Sequence, residues 1–327
     1  MGYLLFLGVS VLLLLEISYR GYWFDFYRGN LTGLNPSGIL TDPSRESILV
    51  VGDSFTADPR GYVEHLRQTF PDQRVINAGV PGTCTRQHQL LFPRRLREFE
   101  PRLVIYQLFV GNDLLNWRPP ADSPHISTIR RVYWWLSDRL WVLGYLNAKL
   151  PQLRQAIYQD LPIDLDPKLE RAYAPQLYSE RSKMQFRAEA GLVDDSVCLR
   201  GRRRQDMENM TKKIRSMLAT VPDSCPILVL VMPHCMQLGA PHLERMRAIG
   251  ASIADPAILT ALDYPFLSYL QEELATDQIR ILSPLAKLKA AQQAQPVYYE
   301  NDPHLNPFGQ QVVGQMLVPY CSPQTPF

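Results

Sequence analysis

Five short apolar runs, separated by helix-forming sequence, constrain this chain more than any other feature. They are 47–51 (SILVV), 74–77 (RVIN), 102–110 (RLVIYQLFV), 226–232 (PILVLVM) and 279–282 (IRIL). Strands that are apolar throughout, rather than alternating, need cover on both faces. Helices between them supply that cover, so the pattern predicts a parallel sheet in a doubly wound α/β fold of flavodoxin-like type. Helices are expected at 60–70, 87–99, 126–146, 204–219, 258–274 and 307–317 from their apolar spacing. With 327 residues, 46% hydrophobic and 20% charged, the chain has ample material for a core and is not disordered. Lys and Arg number 34 against 32 Asp and Glu, a balance that argues against a nucleic-acid coat.

The N-terminus departs from this rhythm. Residues 1–15 carry no charge and Glu16 is the first ionisable carboxylate, so the uncharged run falls short of the ~20 residues that span about 30 Å of hydrocarbon. Ile17 to Tyr19 can extend it. Tyr19, Tyr22, Trp23, Phe24, Phe26 and Tyr27 come next as an aromatic cluster suited to the headgroup level. A cleaved signal peptide, an uncleaved anchor and a buried core helix all fit an apolar run. No basic residue precedes it and no A-x-A comes after it, which favours the anchor. Arg20 and Arg28 lie after the span, so the positive-inside rule does not favour export of the body. The expected organisation is a membrane segment at 1–28, a Gly/Pro/Ser-rich linker at 29–46 and a single domain at 47–327, interrupted by an insertion at about 118–203.

That insertion opens on Pro119-Pro120, holds an aromatic stripe (Tyr133, Trp134, Trp135, Leu140, Trp141), a Pro- and acid-rich stretch at 160–174, and Arg200, Arg202, Arg203 and Arg204. The stripe reads as core or as a membrane-facing helix. The arginines read as a solvated face. A mostly helical cap that helps to choose the substrate is the expectation for the segment as a whole. Five scattered cysteines show no C-x-x-C spacing, which leaves room for one disulfide without nominating it. His65, His88, His125, His234 and His242 lack metal-ligand spacing and read as structural or surface groups, with His234 also a candidate pocket residue. No metal or cofactor is expected.

Chemistry concentrates where the first three runs end, which is where an open α/β sheet places its ligand site. The first turn reads Gly52-Asp53-Ser54, the second Asn77-Ala78-Gly79-Val80-Pro81-Gly82, the third Gly111-Asn112-Asp113; Asp302-Pro303-His304 stands near the chain's end. A Ser after a strand presents its hydroxyl at the sheet edge, and a helix start beyond it offers N–H groups to developing negative charge. A Gly N–H and an Asn amide can meet the same oxygen. A His can take the Ser proton while a carboxylate orients the ring. Asp53 and Asp113 read as turn-fixing residues.

These four blocks, in this order, resemble the SGNH or GDSL-type hydrolase family, over about residues 46–117 and 226–319. The resemblance implies Ser54 as nucleophile, His304 as base and Asp302 as its partner. It also implies Ser54, Gly82 and Asn112 as oxyanion donors, with Gly79 a turn residue. Many family members place the acid three residues before the His, a position held here by Asn301. The spacing of two resembles the alginate-type O-acetyltransferase branch and many anchored bacterial members. The function implied by the resemblance and the anchor together is that of an esterase acting outside the membrane on an acylated envelope glycan or lipid. An O-acyltransferase with the same triad, and a non-catalytic glycan-binding or assembly protein on the same scaffold, are the alternatives. Oligomeric state is not readable.

Overall fold

The computed structural model describes residues 2–42, 44–118, 123–146, 149 and 171–322. Pro119-Pro120 and most of the 160–174 stretch therefore lie outside the described residues.

The apolar runs form β1 (Ser47–Val51), β2 (Arg74–Asn77), β3 (Leu103–Phe109), β4 (Ile227–Met232) and β5 (Ile279–Leu282). They assemble in the order β2-β1-β3-β4-β5, all parallel. β1 to β4 are buried along their whole lengths, and only the edge strand β5 is partly exposed. Each buried Val, Leu or Ile side chain contributes about 1.5–3 kcal/mol. The strand order reverses between β1 and β3, which opens a crevice at their carboxyl ends.

Before the sheet come α1 (Gly2–Arg20), α2 (Arg28–Leu34) and α3 (Ser37–Thr41). Next in the chain are α4 (Tyr62–Thr69), α5 (Thr85–Phe99), α6 (Asp113–Trp117) and α7 (Thr128–Ser137). One face of the sheet carries α4 with helices Leu285–Gln292 and Pro307–Cys321. The other carries α5 with helices Arg203–Leu218 and Pro265–Leu274. The helix expected at 258–274 is two, Pro256–Leu259 and Pro265–Leu274, because Pro265 cannot donate into a helix running through it. The one expected at 126–146 is likewise divided, into α7 and a helical segment at 141–146.

Residues 29–46, expected as linker, carry α2 and α3 and lie against β2. The Asn35 side chain, buried, accepts the Asn77 N–H and donates to the Asn77 carbonyl, both at 2.8 Å. A side-chain amide thus does what a neighbouring strand would do, and closes the sheet edge. Arg74 donates to the Ile39 carbonyl at 3.0 Å and extends that closure.

Of the arginines at 200–204 expected as a solvated face, Arg204 is exposed, Arg200 and Arg202 are half-buried and Arg203 is drawn inside. Arg203 is fully buried, donates to the Leu114 carbonyl at 3.0 Å and pairs with Glu189 at 2.9 Å. Arg202 also reaches Glu189, and Arg200 pairs with the buried Asp194. Carboxylates that burial would otherwise leave unpaired recruit these cations inward. All five cysteines are free thiols.

α1 is long and apolar enough to cross a membrane, with a mean hydropathy of 1.9 over its span and little of it covered by the body. Its last turn is held firmly. Glu16 accepts the N–H groups of Trp141 (2.9 Å) and Val142 (2.8 Å), capping the 141–146 segment. Below it, Arg95, buried, holds both oxygens of Asp25 at 2.8 and 2.9 Å.

Candidate active site

Ser54 stands just past β1. It sits in a turn closed by Ala57 N–H donating to the Asp53 carbonyl at 2.9 Å, and the helix expected at 60–70 follows as α4 from Tyr62. The local donor is therefore the turn's own backbone rather than a helix macrodipole. Gln107 on β3 fixes the turn from below, its Oε1 accepting from Asp53 N–H and from Thr56 Oγ, both at 3.0 Å. A buried Gln inside an otherwise apolar strand was the sequence signal for this support, and the motif blocks alone pass over it.

Ser54 Oγ lies 2.8 Å from Nε2 of His304, across a sequence separation of 250 residues. Nδ1 of the same ring meets Asp302 Oδ1, which also accepts the His304 backbone N–H at 2.9 Å. The carboxylate therefore grips both the ring and the main chain of the residue two positions on, which fixes the tautomer that leaves Nε2 open to Ser54. Burial works to lower the His304 pKa, but the charge and hydrogen bond of Asp302 outweigh it, with help from Asp53 and Asp58, and the ring is raised above its ordinary 6.5. Burial likewise works to raise Asp302, and His304 reverses this, so its carboxyl sits below the usual value.

The loop bearing this pair is tied down from several sides. Asn306 caps the last helix through Gly309 N–H at 2.9 Å, with Pro307 at its first position. Gln310 accepts from Tyr62 N–H at 3.1 Å and donates to the Phe55 carbonyl at 3.3 Å. Asn301, three residues before His304, is buried. It accepts from Ala174 N–H (2.9 Å) and donates to the Arg171 carbonyl (2.8 Å). This part of the insertion is thereby fastened to the His304 loop.

The other two turns converge on the same edge. Asn77 accepts from Gly79 N–H at 3.0 Å and donates to the Thr56 carbonyl at 2.7 Å, which binds the second turn to the first. A Cβ on Gly79 would sit 2.6 Å from Ala57 N, so no larger residue fits there. Gly82 has φ +74, a conformation that disfavours side chains, and its Cα faces open space at the crevice. Asn112 directs its amide Nδ2 to Asp53 Oδ2 at 3.2 Å. One of its two N–H bonds is so engaged and the other remains to meet a ligand.

Asp53 is more than the turn-fixing residue expected. Its Oδ1 does accept Phe55 N–H at 3.0 Å, but its other oxygen orients Asn112. Burial raises its pKa, partly offset by Phe55 N–H, His304, Gln107 and Asn112. Asp113 keeps the expected role, accepting Phe109 N–H at 2.7 Å.

Behind His304, Phe55 packs against its ring at 4.9 Å and against Phe109 at 4.5 Å, and Phe109 stacks on His234 at 5.8 Å. His234 is buried, accepts from Met236 N–H at 3.2 Å, and burial pushes it down to about 3. It is a neutral wall of the site. His88, also held down at about 3 by burial, links Thr83 (2.9 Å) to Tyr106 (3.1 Å) beneath the second turn. Among the described residues, no group of three or more His, Cys, Asp or Glu side chains converges as a metal site.

No family model matches the chain. Over 86 residues it is 34% identical to Esterase TesA of Pseudomonas aeruginosa, a match covering 24% of this chain and 42% of that protein. The chain thus spans under half the length of the curated relative it matches. The crystal structure of TesA superposes with a TM-score of 0.38 at 16% identity, over 85% of this chain and 99% of that one. The lipase Lip_vut3 from a goat rumen metagenome gives 0.39 at 13%, over 84% and 96%. The four motif blocks in order and the 2-1-3-4-5 sheet resemble the SGNH/GDSL-type pattern, and one stretch of the chain is similar to an esterase.

Proposed function

We propose that this protein is a serine-dependent carboxylic-ester hydrolase, anchored by α1, whose substrate is an acylated glycan or lipid of the cell envelope met outside the membrane. The observation that carries the reading is the continuous chain from Ser54 Oγ to His304 Nε2 at 2.8 Å, and from His304 Nδ1 to Asp302. As Oγ bonds to the ester carbon, its proton passes to Nε2. The N–H groups of Ser54 and Gly82 and the Asn112 amide are the donors for the oxyanion. Collapse expels the alkoxide, which takes the proton back from His304, and a water molecule activated by the same ring then releases the acid. The match to an esterase supports the reaction class, and the apolar α1 supports the location.

The test compares the full chain and Ser54→Ala in detergent with p-nitrophenyl acetate and longer acyl esters. The variant is expected to lose about 10⁶-fold in kcat, as removal of a serine nucleophile does where the triad acts as a unit. Equal rates, together with no labelling of Ser54 by a fluorophosphonate, would remove the assignment.

A further inference from the structure

The path of the chain out of α1 fixes which way the crevice faces. At the end of α1, Arg20 donates to the Arg139 carbonyl at 2.6 Å and lies 4.9 Å over the Trp141 ring. Arg86, in the first turn of α5, lies 5.5 Å over the same ring and bonds Asp138 at 3.0 Å. The chain then runs beside α5 along its length: Tyr22 sits under Arg94 (5.0 Å), Asp25 on Arg95 (2.8 Å), and Arg28 on Glu98 in the last turn. α5 starts at the carboxyl edge of the sheet, directly after the Gly82 turn, and ends at the amino edge. α1 therefore leaves the body on the same side as Ser54, Gly82 and Asn112.

Around that exit lies uncovered apolar surface. On α7, Ile129, Val132 and Trp135 are 84%, 51% and 53% exposed and share one face, at intervals of three residues. Trp23 and Phe24 are exposed on the loop after α1. Arg130 and Arg131 on α7 and Arg139 just beyond it are exposed cations, set against the one acid of residues 123–146, Asp138. Apolar residues with aromatic rings and flanking arginines make a helix that lies in an anionic headgroup layer. Its continuity with a membrane-spanning helix names the occupant.

We propose that α7, with Trp23 and Phe24, rests in the surface of the bilayer that holds α1, so that the Ser54 crevice opens toward the membrane and takes its substrate from that surface. This rests on the anchor reading of α1. The clamp of Glu16 on Trp141 and Val142, and of Asp25 on Arg95, makes this a fixed posture rather than a tether.

The experiment uses the full chain in vesicles of phosphatidylcholine with a minority of phosphatidylglycerol. New cysteines at three exposed positions carry a fluorophore, each read against the unsubstituted chain labelled in the same way to subtract the five native thiols: Ile129→Cys on α7, Pro81→Cys beside the crevice, and Asp72→Cys at the amino edge of the sheet. Lipids with a quencher in the upper acyl chain should abolish most of the signal at 129. A headgroup quencher should dim 81 and leave 72 unchanged. Vesicle-bound protein with equal signals at all three positions would overturn the posture while sparing the anchor. Failure to float with vesicles would overturn the anchor, and the posture with it. Neither result depends on ester turnover, so loss of the catalytic reading would be seen separately, in the Ser54→Ala comparison.

Discussion

Replacing Asp53 by Asn tests whether Asn112 serves as an aimed donor. The Asp53 carboxylate accepts from Phe55 N–H at 3.0 Å and from Asn112 Nδ2 at 3.2 Å, and an amide cannot do both. With Phe55 N–H keeping the Asn oxygen, the new NH₂ faces the Asn112 NH₂, and the Asn112 amide must flip. Its Nδ2 then leaves the position from which its second N–H reaches the oxyanion. Losing one such donor lowers kcat about 10²–10³-fold, or ~2.7–4 kcal/mol. Stability should change little, because the lost hydrogen bond of about 1 kcal/mol is offset by removal of a carboxylate whose burial raises its pKa. A melting shift within ~4 °C is expected for a domain of this size. The assay is kcat and KM on p-nitrophenyl acetate for Asp53→Asn, Asn112→Ala and the double variant. Because both single changes remove one donor, the double variant should be no slower than Asn112→Ala alone. Losses that multiply, to about 10⁴-fold or more, would refute an Asp53 that acts through Asn112.

The raised His304 sets two pH dependences of opposite sign. The base must be neutral, so kcat/KM should climb with pH through a midpoint above 6.5 and Asp302→Asn should move that midpoint down; a midpoint below 6.5 in the wild type would contradict the Asp302 contact. The raised His304 stabilises the fold fully below the unfolded His value while Asp302 stays ionised, and loses that contribution as pH rises through the folded value, which urea titrations across this range would read. In the loop after α1, Asp25→Asn leaves the buried Arg95 with Glu98 alone and should cost about 3 kcal/mol, the low end for breaking a buried pair. Urea unfolding and protease cutting near residues 21–28 would show it, with p-nitrophenyl acetate turnover unchanged.

Much of this molecule was legible in the one-dimensional pattern. The β-branched runs at 47–51, 74–77 and 279–282 could be buried only as strands, and they form strands with those same ends. Gly52-Asp53-Ser54 and Asp302-Pro303-His304 were visible because each block carries its polarity locally. Two roles were hidden in residues that look ordinary in sequence. Gln107 and Asn35 act by meeting groups far along the chain, among them backbone N–H groups 54 and 42 positions away. Arg203 looked solvated because a run of arginines shows no sign of the carboxylates that draw one of them inside.

Local pattern alone settled the five strands, the helices expected at 60–70, 87–99, 204–219 and 307–317, and the identity of the polar turns, since apolar periodicity and glycine placement are local properties of the chain. Tertiary structure decided that Asp302, not Asn301, faces the His304 ring, because Asn301 is held by the returning insertion at Ala174 and Arg171. It also decided that α1 is clamped to the body beside the crevice. Glu16, capping a segment 125 residues further on, helps to join α1 to the body. Pairings at that separation depend on where the sheet brings the chain back, which no local pattern encodes.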